Sequence, residues 1–169
     1  PIISTENAQA NYLEDKFICF ATRFKYKDGY YSAISSWSKY FFEPKLYNLD
    51  FETFENLGML NSFNALKISF DTGEREVEAI DLVFKFANET NVYKVDTFIK
   101  EDEGWGNNTT KTLEFNNSKV YGILPTDQYF RSFYNDPEMV IAQTPIGNRE
   151  GFAKYREGKK LIDKINIKD

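Results

Sequence analysis

The sequence predicts an all-β protein with minor α content: an antiparallel β-sandwich together with a β-hairpin unit and short helices. Three observations carry this. Apolar residues alternate with polar ones over several runs, the period of a strand with one face in a core. Turn signals interrupt those runs at short intervals, as in antiparallel sandwiches. Aromatics make up 17% of the 169 residues, with 16 Phe and 11 Tyr, and aromatic side chains fit the half-buried surface of a pleated sheet.

Taken in order, residues 1–11 are polar and aperiodic and read as an arm. Residues 12–44 form the hairpin unit. Ile18, Phe20, Phe24 and Tyr26 fall on one face of a strand, and Cys19, Ala21, Arg23 and Lys25 on the other. Lys27-Asp28-Gly29 is a hairpin signal, because Asp-Gly tolerates positive φ. Residues 30–38 then return as the partner strand, continued by 40–42 until Pro44 ends the pairing. Residues 45–64 are a connector in which 50–57 read as a short helix, with Asp50 as N-cap, Phe51 and Phe54 on one face and Gly58 as the stop. Residues 65–149 are the sandwich domain. Its strands are expected around Leu66, Ile68 and Phe70, over 77–86, over 92–100, around 113–115 and over 119–124. Thr126 is placed to cap a helix over 126–135, and 139–143 form a further strand. Residues 150–169 are a C-terminal extension, readable either as a helix with Phe152, Tyr155, Ile162 and Ile165 on one face or as a hairpin turning at Glu157-Gly158. No internal repeat stands out. A lone hairpin is marginal in water, so residues 12–44 are expected to be an incomplete unit, the possible end of an upstream sandwich, beside one complete sandwich.

The composition narrows the chemistry. There is no histidine, which removes the commonest general base and metal ligand. Zinc is disfavoured with no His and one Cys. Cys19 is expected to be a small buried side chain, and a single cysteine permits no intrachain disulfide. The net charge of −5 argues against a nucleic-acid footprint. No apolar run is long enough for a membrane span, and no signal-peptide pattern is present in these residues. Glu101-Asp102-Glu103, with Asn107 and Asn108, offers oxygens for calcium, but a solvated acidic loop is the plainer reading. Asn88, Asn107, Asn108 and Asn116 match the glycosylation pattern and are read as turn composition. Trp37 is expected to pack. Trp105, between Gly104 and Gly106, is the most ligand-like aromatic: it is placed to stack on a sugar, to anchor an interface, or to fold back onto its own domain. No catalytic constellation, cofactor motif or metal set is visible.

Two stretches carry a resemblance. Tyr31, Ser32, Ser35, Trp37 and Ser38 resemble the last strand of a fibronectin-type-III-like sandwich. Leu124-Pro125, Gln128, Arg131, Tyr134-Asn135-Asp136-Pro137, Ala142-Gln143-Thr144, Gly147-Asn148-Arg149 and Tyr155 resemble a segment of the tail structural proteins of crAss-like and related Bacteroidetes-infecting podoviruses. Asp15-Lys16-Phe17, the run from Ala21 to Tyr26, Asp28-Gly29-Tyr30, Ser32-Ala33, Ser36 and Ser38 are similar to the same proteins at comparable spacing. The chain departs from their pattern in the order Tyr134-Asn135-Asp136-Pro137 and in Glu150-Gly151-Phe152-Ala153-Lys154-Tyr155 after Arg149.

The resemblance implies a virion component of the tail muzzle or nozzle, built from fibronectin- or immunoglobulin-like sandwiches. Its partners would be other copies and neighbouring tail proteins in a ring. It implies a parent chain far longer than 169 residues, which agrees with a chain that opens at Pro1. It supplies no catalytic residues. The expected function is therefore structural and non-enzymatic. The alternative is a carbohydrate-binding sandwich of a phage receptor-binding or Bacteroidetes surface protein, with Trp105 as its ligand-binding residue.

Overall fold

The computed structural model describes residues 11–129, 139–156 and 166–168. The described residues are mostly β with one short helix. One sheet has the order β1-β3-β4-β6, formed by Ile18–Tyr26, Val77–Phe86, Tyr93–Ile99 and Gly122–Ile123. A second has the order β5-β2-β9, formed by Thr110–Phe115, Leu66–Asp71 and Asn166–Lys168. A separate hairpin joins β7 (Met139–Ile146) to β8 (Arg149–Arg156). All pairings are antiparallel. Among the described residues no helix is long and apolar enough to cross a membrane.

The alternation that predicts β1 and β3 also builds the core. Ile18, Phe20 and Phe24 from β1 and Ile80, Leu82 and Phe84 from β3 point inward and are buried. Phe115 of β5 meets Phe20 at 5.1 Å and Phe84 at 5.2 Å between ring centroids, and Phe70 of β2 meets Phe98 of β4 at 5.9 Å. These rings bind the two sheets face to face. Each such buried side chain contributes about 1.5–3 kcal/mol of apolar burial.

The separation into a hairpin unit and a later sandwich is not what the pairing shows. β1 runs against β3 from Ile18↔Phe86 to Tyr26↔Val77, so residues 12–44 and 65–124 share one core. The return over 30–38 is not a strand either. Ser32, Ser35 and Ser38 donate their amides to the carbonyls of Phe24, Thr22 and Phe20 at 2.8–2.9 Å. In return the amides of those three β1 residues donate to the three serine hydroxyls at 2.9–3.0 Å. Each hydroxyl then donates to the carbonyl of the following residue, Ala33, Ser36 or Lys39. A hydroxyl replaces the backbone carbonyl that a β-partner would present, and three residues advance against two of β1.

This segment does contain a repeat, Tyr31-Ser32-Ala33, Ile34-Ser35-Ser36, Trp37-Ser38-Lys39. The residue before each serine covers the outer face of the first sheet or packs on the core. Tyr31 lies 4.3 Å from the Arg23 guanidinium, Ile34 and Trp37 are partly buried, and Trp37 has the Lys85 ammonium 4.7 Å from its ring.

Arg23 and Asp81, paired across β1 and β3, are buried on that outer face. Arg23 Nε and Nη2 donate to Asp81 Oδ2 at 3.1 and 2.5 Å, and Thr97 Oγ1 donates to Oδ1 at 2.6 Å. The helix α1 (Thr126–Tyr129) brings Gln128 Oε1 to Arg23 Nη1 at 3.1 Å. The helix is described over Thr126–Tyr129, and the remainder of 126–135 lies outside the described residues. In the C-terminal extension, 151–156 belong to a strand rather than a helix, and the hairpin turns at Gly147-Asn148, with Gly147 at φ 64°. The alternative turn at 157–158, and Ile162 and Ile165, lie outside the described residues.

Ser35→Ala leaves the buried Thr22 amide without its acceptor and is expected to cost about 1–3 kcal/mol. Asp81→Ala strands the Arg23 charge and is expected to cost about 3–5 kcal/mol. Chemical denaturation of the two variants checks both the size and the order.

Candidate interaction surface

The connector folds as a projecting β-like arm over residues 43–62. Its limbs are joined by bridges Pro44↔Asn61 and Leu49↔Asn56. Amide bonds from Lys45 to Leu60, Leu57 to Asn48 and Ser62 to Glu43 complete the ladder. The expected helix over 50–57 is absent. Asp50 still caps, but it caps a turn. Its Oδ1 accepts from the Glu52 amide and its Oδ2 from the Thr53 hydroxyl, both at 2.9 Å. The Asp50 amide meets the Glu55 carbonyl across the tip at 2.9 Å. Chain reversal places Phe54 at φ 58°, a conformation bulky residues rarely adopt.

Below the tip the limbs approach closely. A Cβ at Gly58 would lie 2.1 Å from the Leu46 carbonyl oxygen, so only glycine fits. Asn56 Oδ1 accepts from the Asn48 and Gly58 amides. At the base, Asn61 is fully buried. Its Nδ2 donates to the carbonyls of Leu13 and Lys16 at 2.6 and 2.8 Å, and its amide donates to the Glu14 carbonyl at 2.7 Å. Lys45 pairs with Glu14 beside it. The arm is thus tied to the N-terminal turn of the sandwich.

The arm holds six large apolar side chains in solvent. Leu46 is 92% exposed, Tyr47 72%, and Phe51 and Phe54 79% each, and Leu57 and Met59 are also exposed. Single exposed apolar residues are ordinary, but a contiguous group of large ones marks an interaction surface. Leu46, Tyr47 and Leu57 line a shallow hollow with Lys45, Asn48, Gly58 and Ser62. Sequence reasoning missed this surface. The available signal was the density of large apolar residues between 46 and 59 without a burying period.

The residues singled out from sequence lie elsewhere and do not converge. Trp105 folds back onto the sandwich, stacked on Phe98 at 5.4 Å and tilted against Phe70 at 5.9 Å, with the Lys111 ammonium 5.7 Å from its ring. Glu101, Asp102 and Glu103 are exposed, and among the described residues no three His, Cys, Asp or Glu side chains gather as a metal site would need. Asn107 Oδ1 accepts from the buried Lys100 ammonium at 2.8 Å, which also donates to the Glu74 carbonyl at 2.9 Å. An oxygen occupied by a cation in this way is a poor calcium ligand. Burial, and secondarily Lys27, lowers the Lys100 pKa. Asn88, Asn107 and Asn108 are exposed on turns, and Asn116 is half-buried with its Oδ1 held by Ser118. Cys19 is buried, and that burial raises its thiol pKa.

Asn61→Ala removes the clamp at the arm's base. Hydrogen exchange is expected to show loss of protection at the Lys45 and Leu57 amides while the β3 amides stay protected. The tip responds to pH in a definite direction. The Glu52 amide, then the Thr53 hydroxyl, hold the Asp50 carboxyl below its ordinary value of 3.8. The turn therefore has its full stabilisation above that value and loses it as pH falls through the lower folded pKa. An NMR titration following the Glu52 amide is expected to show its bonded shift collapse only in that acid range. In comparison with known proteins, the chain matches no family model, no curated protein and no solved structure.

Proposed function

We propose that this chain is a non-catalytic structural component of a bacteriophage tail, in the muzzle or nozzle region, acting through contacts between protein subunits. The observation that carries the interface part of this reading is the arm over 43–62, which holds Leu46, Tyr47, Phe51, Phe54, Leu57 and Met59 in solvent on a clamped scaffold. Large apolar side chains are costly to leave in water, and aromatic anchors of this kind dominate binding energy when a partner covers them. Clamping at Asn61 and Asp50 lowers the ordering cost of binding. The tail assignment draws its support from the resemblance of residues 15–38 and 124–155. The rival carbohydrate-binding reading has weaker support, because Trp105 is engaged by Phe98, Phe70 and Lys111 rather than standing as an open platform.

Mass spectrometry of purified virions is expected to find peptides of this chain in the tail fraction. Their absence from particles overturns the tail assignment. A Phe51→Ser/Phe54→Ser double variant of the parent protein is expected to keep its β-sheet circular dichroism and to enter particles at least about tenfold less well. Normal incorporation of the variant overturns the interface role of the arm.

A further inference from the structure

Resting on that reading, we infer that the arm's occupant is the β7–β8 hairpin of a second copy of this chain. The charge of the arm points there. Besides its apolar residues the arm carries Glu43, Asp50, Glu52 and Glu55. Its one cation, Lys45, is already paired with Glu14 of the same chain. Two arms facing each other would set acid against acid, so a symmetric arm-to-arm contact is electrostatically opposed.

The hairpin has the complementary character. Between residues 139 and 156 it carries Arg149, Lys154 and Arg156 against Glu150 alone. Ile141 and Ile146 are 68% and 65% exposed, and Arg149 at the turn is exposed. Among the described residues β7 and β8 pair only with each other. Exposed apolar residues beside Glu43, Glu52 and Glu55 on the arm thus match the exposed Ile141, Ile146 and Arg149 of the hairpin.

Because the two patches differ, the contact is heterologous and head-to-tail, which closes into a ring or continues as a filament. Two small projections bury little area, so the association is weak and needs high local concentration.

Sedimentation velocity on the 169-residue chain tests this at low and high salt. The weight-average mass is expected to rise with concentration and to fall when salt is added. The Phe51→Ser/Phe54→Ser variant and the Arg149→Glu variant are each expected to weaken association at least about tenfold. Mixed together, they are expected to form a heterodimer and stop there, since one intact arm meets one intact hairpin. Combining Glu52→Lys with Arg149→Glu in one chain is expected to recover part of the association, which a merely misfolded Arg149 variant would not do. A wild-type chain that stays monomeric at every concentration overturns the inference. Association lost with the arm variant but unchanged by Arg149→Glu also overturns it, while leaving the arm as an interface with a different partner.

Discussion

Three serine hydroxyls close the outer edge of β1, and the rest of the molecule is arranged around that closure. β1 pairs with β3 along one edge. Its other edge exposes the amides and carbonyls of Phe20, Thr22 and Phe24, and buried backbone groups left unpaired are costly. Ser38, Ser35 and Ser32 satisfy both groups of each residue, accepting through the side chain and donating through the backbone. Since β1 supplies Ile18, Phe20 and Phe24 to the core, the sandwich depends on this edge staying dry and bonded.

The closure also positions the arm. The three-for-two spacing continues to the Phe41 amide, which donates to the Ile18 carbonyl at 3.3 Å. Two residues later the arm begins, and Asn61 returns it to the carbonyls of Leu13 and Lys16 just before β1. The arm therefore leaves and re-enters at one end of the same strand. On the outer face the Arg23–Asp81 pair is satisfied by Thr97 and Gln128, so the segment after β6 is held to the sheet by polar bonds as well as by Leu124 in the core.

The strands were legible because alternation is local. The run from Val77 to Phe86 shows its buried face in the sequence alone, and β3 has those bounds. What the sequence hides is register and substitution chemistry. Arg23 and Asp81 lie off the core faces of their strands, and only the cross-strand pairing makes them a buried ion pair. Residues 30–38 read as a strand because Tyr, Ile and Trp favour sheets, while the spacing of the serines signalled a different geometry. The arm was hidden by the opposite failure. Asp50 and Gly58 are helix punctuation, yet Asp50 caps a turn and Gly58 lets two limbs touch. Trp105 drew notice for its flanking glycines, and the rings that receive it, Phe70 and Phe98, are distant in sequence.

The serine segment also constrains how this chain can change length over evolution. One repeat of three residues matches two residues of β1, so the segment and the strand are geared unequally. Loss or gain of a single residue between Tyr31 and Lys39 would move every following serine off its β1 amide and rotate the Tyr, Ile and Trp side chains away from the outer face. Removal of three residues would delete one step and leave the others in phase. Length variation here is therefore permitted in whole triplets, a reading frame written in hydroxyl groups rather than in nucleotides.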